Sequence, residues 1–210
     1  MNLPWLGLQV VYAHVAWGVV LAACGVGALS WRTPFPSRLA MGWMIFSLVA
    51  CALPGPASPA HWLMLAFQLP SLLLVACCGM TMLANARCVT CYRVLPPGLA
   101  LGLAIVGAVL YVDTVGWFGM GLYVRGFGPE AAFAGLLVGA AAVLAIATDQ
   151  SRSAGFAVLL ALMVFALCRL PTGNVWDAVL DPLLWVWAIF SLVARWKARR
   201  REAVPLAPST

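Results

Sequence analysis

The sequence predicts an all-α integral membrane protein: a bundle of about seven transmembrane helices, N-terminus outside and C-terminus cytoplasmic. Three observations carry that expectation. The chain is 64% hydrophobic and only 9% charged, where soluble domains carry about 25% charged residues. Seven apolar runs fill nearly all of its 210 residues, and a helix needs roughly 20 apolar residues to cross a bilayer core of about 30 Å. The arginines gather in alternate loops. So little charge cannot cover a water-facing globule, and the short stretches between runs leave no room for a soluble domain. Residues 1–196 are therefore expected to form one transmembrane domain, with 197–210 as a basic, disordered cytoplasmic tail.

The first helix is expected over 7–29. The residues before it, MNLPWLG, contain no Lys or Arg. A cleaved signal peptide needs a basic stretch there, so this run is expected to span and stay. The second helix, 39–54, ends at Pro54-Gly55-Pro56; the third, 62–84, contains Pro70. The fourth, 97–115, opens at Pro96-Pro97, and the fifth, 131–148, follows Pro129 and Glu130. Proline suits a first helical turn, where its missing N–H had no partner anyway. The sixth helix, 154–170, is stopped by Pro171-Thr172-Gly173, and the seventh, 176–195, contains Pro182. Pro70 and Pro182 each remove an i→i−4 bond and are expected to kink their helices. Six spans, with one run re-entrant or interfacial, is the alternative.

Orientation follows from the cations. Arg32, Arg38, Arg87, Arg93, Arg152 and the cluster Arg195, Lys197, Arg199, Arg200 and Arg201 fall on one side. Arg125 and Arg169 alone fall on the other. Loops rich in Lys and Arg stay in the cytoplasm, which requires an odd number of spans. The net charge of +6 is thereby assigned to membrane topology, and no nucleic-acid partner is expected. Eleven of the twelve basic residues are Arg, a bias that suits a GC-rich bacterial genome and a bacterial inner membrane. Trp5, Trp31, Trp62, Trp117, Trp176 and Trp196 lie near the expected interfaces, where indole rings are favoured.

The lipid bilayer is the expected surrounding partner, and other membrane subunits are a further one. Gly98, Gly102, Gly135 and Gly139 form two GxxxG patterns in the fourth and fifth helices. That spacing lets two helix backbones approach closely in lipid. The two helices then pack on each other or on another copy.

His14 is the one ionisable side chain well inside an expected span, about 10 Å deep at a rise of about 1.5 Å per residue. An ionisable group inside a membrane points to function. Gln68 and Ser71 are expected at similar depth, so His14, Gln68 and Ser71 are candidates for a polar pocket in the outer half of the bundle. The remaining charges, Asp113, Arg125, Glu130, Arg169, Asp177 and Asp181, collect on the outer face. Asp177 and Asp181 are four apart, on one helix face. A salt-bridged lid, an entry site for a polar solute or a docking surface for a periplasmic partner would each use such charges. The loop 113–130, with five glycines and four aromatic residues, suits an interfacial or partly re-entrant segment.

Cys88 and Cys91 form a CxxC in an expected cytoplasmic loop. A structural zinc site needs four ligands, and no second such pair exists. No metal site is expected. His14 and His61 lie at different depths, so paired haem ligation is not expected and no cofactor is assigned. The functional expectation is a non-enzymatic integral subunit or assembly factor of a membrane complex. A small-solute transporter or channel with an outer-half polar pocket is the alternative, and an outer-face membrane enzyme the third.

Overall fold

A computed structural model of the chain describes residues 4–30, 36–87, 95–148 and 151–202. Among these residues every regular element is helical. Helix α1 (Leu6–Leu29) runs unbroken for 24 residues, and α2 (Ser37–Cys51) packs along it. Small residues allow the contact. A Cβ at Gly18 would lie 2.8 Å from Leu48 Cδ2, and Gly25 lies against the Trp43 indole.

The expected third helix is two helices. A 3-10 turn at Gly55–Ala57 leads into α3 (Pro59–Phe67), and the chain restarts as α4 (Leu72–Ala86). Pro70 lacks an N–H and disfavours helical backbone before it. Gln68 adopts φ 61°, a region that non-glycine residues rarely enter. The kink expected at Pro70 is thus a full interruption. Two donors from α1 hold the exposed carbonyls: Tyr12 OH donates to Pro70 O at 2.6 Å, and Trp17 Nε1 to Gln68 O at 3.1 Å. Ser71 Oγ then caps the new helix by accepting Leu74 N at 3.1 Å.

Helix α5 (Pro97–Thr114) opens on proline, as expected. The glycine-rich loop after it contains one helical turn, α6 (Leu122–Arg125). Helix α7 (Glu130–Ala147) and helix α8 (Arg152–Cys168) pack on each other. The expected seventh helix is also two: α9 (Val175–Val179) and α10 (Pro182–Glu202). Leu180 is extended between them, and Pro182 opens α10 instead of kinking a continuous helix. Helix α10 runs on to Glu202, so 197–202 of the expected tail are helical. Residues 203–210 lie outside the described residues, as do Trp31, Arg32, Arg93, Cys88 and Cys91.

Three helices, α1, α5 and α7, are long and apolar enough to cross a membrane. Helices α2, α4 and α8 are shorter but apolar. Helix α4 sits at the centre, against α1, α2, α8 and α9. Its Leu73 and Cys77 are buried with Trp17, Val175 and Leu184 in one core. Helix α7 is the opposite case. Only 11% of its most apolar window is buried, against 39% for α1, so Phe133, Leu136, Leu137, Val143 and Leu144 face outward. An apolar outer surface of this kind suits lipid as the solvent.

The two GxxxG faces do not zip α5 to α7. Helix α5 packs chiefly on α10, and α7 on α8. A Cβ at Gly98 or Gly102 would meet nothing within 4 Å, while at Gly139 it would meet Leu162 at 3.6 Å. The close approach on α5 is at Gly107, which lies against the Trp185 ring of α10. Trp185 Nε1 also donates to Ala104 O at 3.1 Å.

Candidate functional site

The two interrupted helices meet beside a cavity of about 370 Å³. Ala66–Leu69 at the end of α3 form one wall, and Leu110, Tyr111 and Thr114 at the end of α5 form another. Tyr123 of α6 and Thr172, Trp176, Asp177, Leu180, Asp181 and Pro182 around α9 close it. The lining brings together two carboxylates, two phenols, two threonine hydroxyls and no lysine or arginine.

Asp181 is the structural carboxylate. It is buried, and both oxygens are engaged: Oδ2 accepts Ser71 N at 2.6 Å and Oδ1 accepts Leu184 N at 2.7 Å. Ser71 precedes α4 and Leu184 lies in the first turn of α10. One carboxylate therefore joins the starts of two helices, where amide groups and the helix dipole favour negative charge.

Asp177 is the carboxylate with capacity to spare. Its Oδ2 accepts Thr172 Oγ1 at 2.5 Å and Tyr123 OH at 2.9 Å. Its Oδ1 accepts from no described residue and is not buried. Asp177 sits in the short α9, ahead of α10. Burial pushes its carboxyl above the usual range, the two hydroxyl bonds oppose that, and the charge of Asp181 adds to it. Burial and the nearby Asp177 charge push the Tyr123 phenol up to about 12, so it remains a donor at neutral pH.

A dense set of bonds fixes this wall. Asn174 Nδ2 donates to Tyr123 O at 3.0 Å, and its Oδ1 accepts Trp176 N at 3.0 Å. Trp176 Nε1 donates to Leu122 O at 3.0 Å, and Val175 N to Gly126 O at 3.1 Å. Gly126 lies directly against the Asn174 side chain, so a larger residue there would collide. Asp113, buried at the end of α5, accepts Met120 N at 2.8 Å and Leu122 N at 2.6 Å and so folds the loop back over the cavity.

The candidates from sequence are partly gathered here. Gln68 lines the cavity, and Ser71 reaches its edge through Asp181. His14 does not line it; its Nδ1 lies 2.7 Å from Val10 O in its own helix. Tyr12 is the α1 side chain that reaches the interruption. Asp177 and Asp181 both line the cavity, but Asp177 lies in α9 and Asp181 in the link before α10, so they do not share one helix face. Arg125, Glu130 and Arg169 are exposed, and the Arg169 guanidinium lies over the Phe165 ring at 5.4 Å. The partners of the three aspartates are amides and hydroxyls, so the lid is held by hydrogen bonds. Cys51, Cys77, Cys78 and Cys168 are free thiols. Among the described residues no group of three or more His, Cys, Asp and Glu is arranged to hold a metal ion.

Sequence reasoning missed Tyr12, Trp17, Tyr111, Tyr123, Thr172 and Asn174. For the tyrosines and Trp17 a signal existed: a polar tip inside an apolar run usually finds a partner when buried. Compared with known proteins, the chain matches no family model, no curated protein and no solved structure.

Proposed function

We propose that the chain is a multi-pass bacterial inner-membrane protein that binds a small solute in the cavity between its interrupted helices, as a transporter or channel does. The carrying observation is the cavity itself. Two helices break at one place, and the break is walled by Asp177, Asp181, Tyr123 and Thr172. Solute sites in transporters characteristically form where helices are discontinuous. A carboxylate oxygen with no donor among the described residues gives such a site something to recognise with. The seven spans are α1, α2, α3 with α4, α5, α7, α8 and α10. Arg38, Arg87, Arg152 and the end of α10 then face the cytoplasm, and the cavity opens outward. The test is thermal stability of the purified protein across a solute panel, followed by uptake into proteoliposomes. A panel of cations, amino acids, sugars and nucleosides that leaves the melting temperature unmoved would refute the reading.

The integral-subunit reading is supported by a different observation. The Gly98 and Gly102 face of α5 has open space in front of it, where a second helix could lie closely. A stoichiometric partner that co-purifies from native membranes, and is lost in Gly102→Leu, is the outcome that supports it.

A further inference from the structure

Resting on the solute-cavity reading above, we propose that the ligand is an organic cation carrying an apolar tail, its ammonium group beside Asp177 and its tail in the slot between Tyr111 and Trp117.

The charge argument comes first. Of the two carboxylates in the cavity, Asp181 already serves two helix starts through the Ser71 and Leu184 amides. Asp177 keeps one oxygen free of donors from the described residues. No lysine or arginine lines the cavity to cancel it. An accessible carboxylate oxygen is open to a cation, and the apolar walls screen that attraction less than bulk water would.

The type of cation follows from the walls. Hard metal ions want about six or more oxygen ligands, and among the described residues no group of three or more His, Cys, Asp and Glu is arranged to hold one. Phe67, Tyr111, Tyr123 and Trp176 line the same cavity. Aromatic rings around an ammonium group are a recognised arrangement, because the ring faces carry partial negative charge. It suits a bulky, weakly hydrated organic cation better than a compact hydrated one.

The tail follows from a neighbouring feature. A second cavity of about 370 Å³ is lined by Tyr111, Val112, Val115 and Trp117. Tyr111 belongs to both cavities. The polar cavity and the apolar slot thus share the Tyr111 ring as a wall, and the slot has no charged residue in its lining. A ligand with charge at one end and hydrocarbon at the other matches both parts at once.

The experiment uses the full chain in phosphatidylcholine nanodiscs, with empty nanodiscs as the partition control. Binding of tetramethylammonium, butyltrimethylammonium, hexyltrimethylammonium, hexanol and hexanoate is measured by calorimetry. Affinity is expected to rise about two- to fourfold per added methylene in the cation series. Hexanol and hexanoate are expected to bind at least tenfold more weakly than the hexyl cation. Asp177→Asn should lower hexyltrimethylammonium affinity at least tenfold, and Asp177→Glu should recover part of it. Trp117→Ala should flatten the chain-length series while leaving tetramethylammonium unchanged. Equal affinity for hexanol and the hexyl cation, no chain-length dependence, or indifference to Asp177→Asn in a protein that retains its melting temperature would each overturn the proposal. Stabilisation by sugars or amino acids without alkylammonium binding would overturn this inference alone. Binding of no solute class would remove the underlying reading as well.

Discussion

Asp181 accepts a hydrogen bond from the Ser71 amide across 110 residues of sequence, at 2.6 Å. Its other oxygen takes the Leu184 amide at 2.7 Å. The start of α4 and the start of α10 are therefore held by one side chain. Removing it strands two buried donors at once.

Asp181→Ala is expected to destabilise the protein by about 2–5 kcal/mol, since each unsatisfied buried amide costs roughly 1–3 kcal/mol. Asp181→Asn retains one acceptor oxygen and is expected to cost about half as much. Thermal unfolding of both variants in one detergent checks this. A melting temperature equal to the parent's in Asp181→Ala would show that the two helix starts do not depend on it.

Gly107→Ala places a methyl group against the Trp185 ring. Overpacking of this kind costs about 1–3 kcal/mol. Trp185→Leu makes room but loses the bond to Ala104 O, so alone it also destabilises. The double variant is expected to be more stable than the sum of the two losses by about 0.5–3 kcal/mol, as coupled neighbours are. Strict additivity in the cycle would count against a tight contact there.

Asn174→Ala removes the bonds to Tyr123 O and Trp176 N. The expected result is faster amide exchange over residues 119–127, with α1 and α4 unaffected. Hydrogen–deuterium exchange read by mass spectrometry separates the two regions. Equal protection of 119–127 in parent and variant would mean that the loop is held from elsewhere.

The raised carboxyl of Asp177 gives the proposed cation binding a pH dependence of definite sign. Binding requires the carboxylate. Because burial favours its neutral form, the proton is taken up at a higher pH than by an ordinary aspartate. Affinity for hexyltrimethylammonium is therefore expected to fall on acidification, beginning at a higher pH than an ordinary aspartate would give. Asp181, Tyr111 and Tyr123 are the other titratable groups lining the site. The Tyr123 phenol is pushed up to about 12 and stays neutral, so Asp177→Asn is the control that should flatten the profile. A profile that keeps its slope in that variant would show that Asp177 is not the titrating group.

Much of the fold was legible because length and proline placement are local properties. The expected ends of the helices that became α1, α5, α7 and α8 lie within two residues of those observed. Whether a proline bends a helix or divides it was not legible. Pro70 divides its helix because Tyr12 and Trp17, far away in sequence, satisfy the carbonyls that the break exposes. The pair Asp177 and Asp181 could be singled out from charge alone, since carboxylates near apolar runs are scarce. Their division of labour could not, because it depends on Ser71, Thr172 and Tyr123 as donors. His14 drew attention as an ionisable group, yet the phenol two residues earlier makes the tertiary contact. Titratability marks a residue on paper; which side of α1 faces α4 is decided by packing. The GxxxG spacing likewise marked where close approach was permitted, while Gly107, outside any such pair, is where an indole ring came in.

The interruption at Gln68–Ser71 also carries a consequence for biogenesis. Helix α1 is synthesised first, so the hydroxyl of Tyr12 and the indole of Trp17 are already in place when the broken segment leaves the ribosome. Its two bare carbonyls can be met immediately. The Ser71 amide has a longer wait, because its acceptor is translated 110 residues later. Truncated nascent chains ending before Asp181 should thus hold α1 and α3 together yet leave the head of α4 susceptible to cleavage.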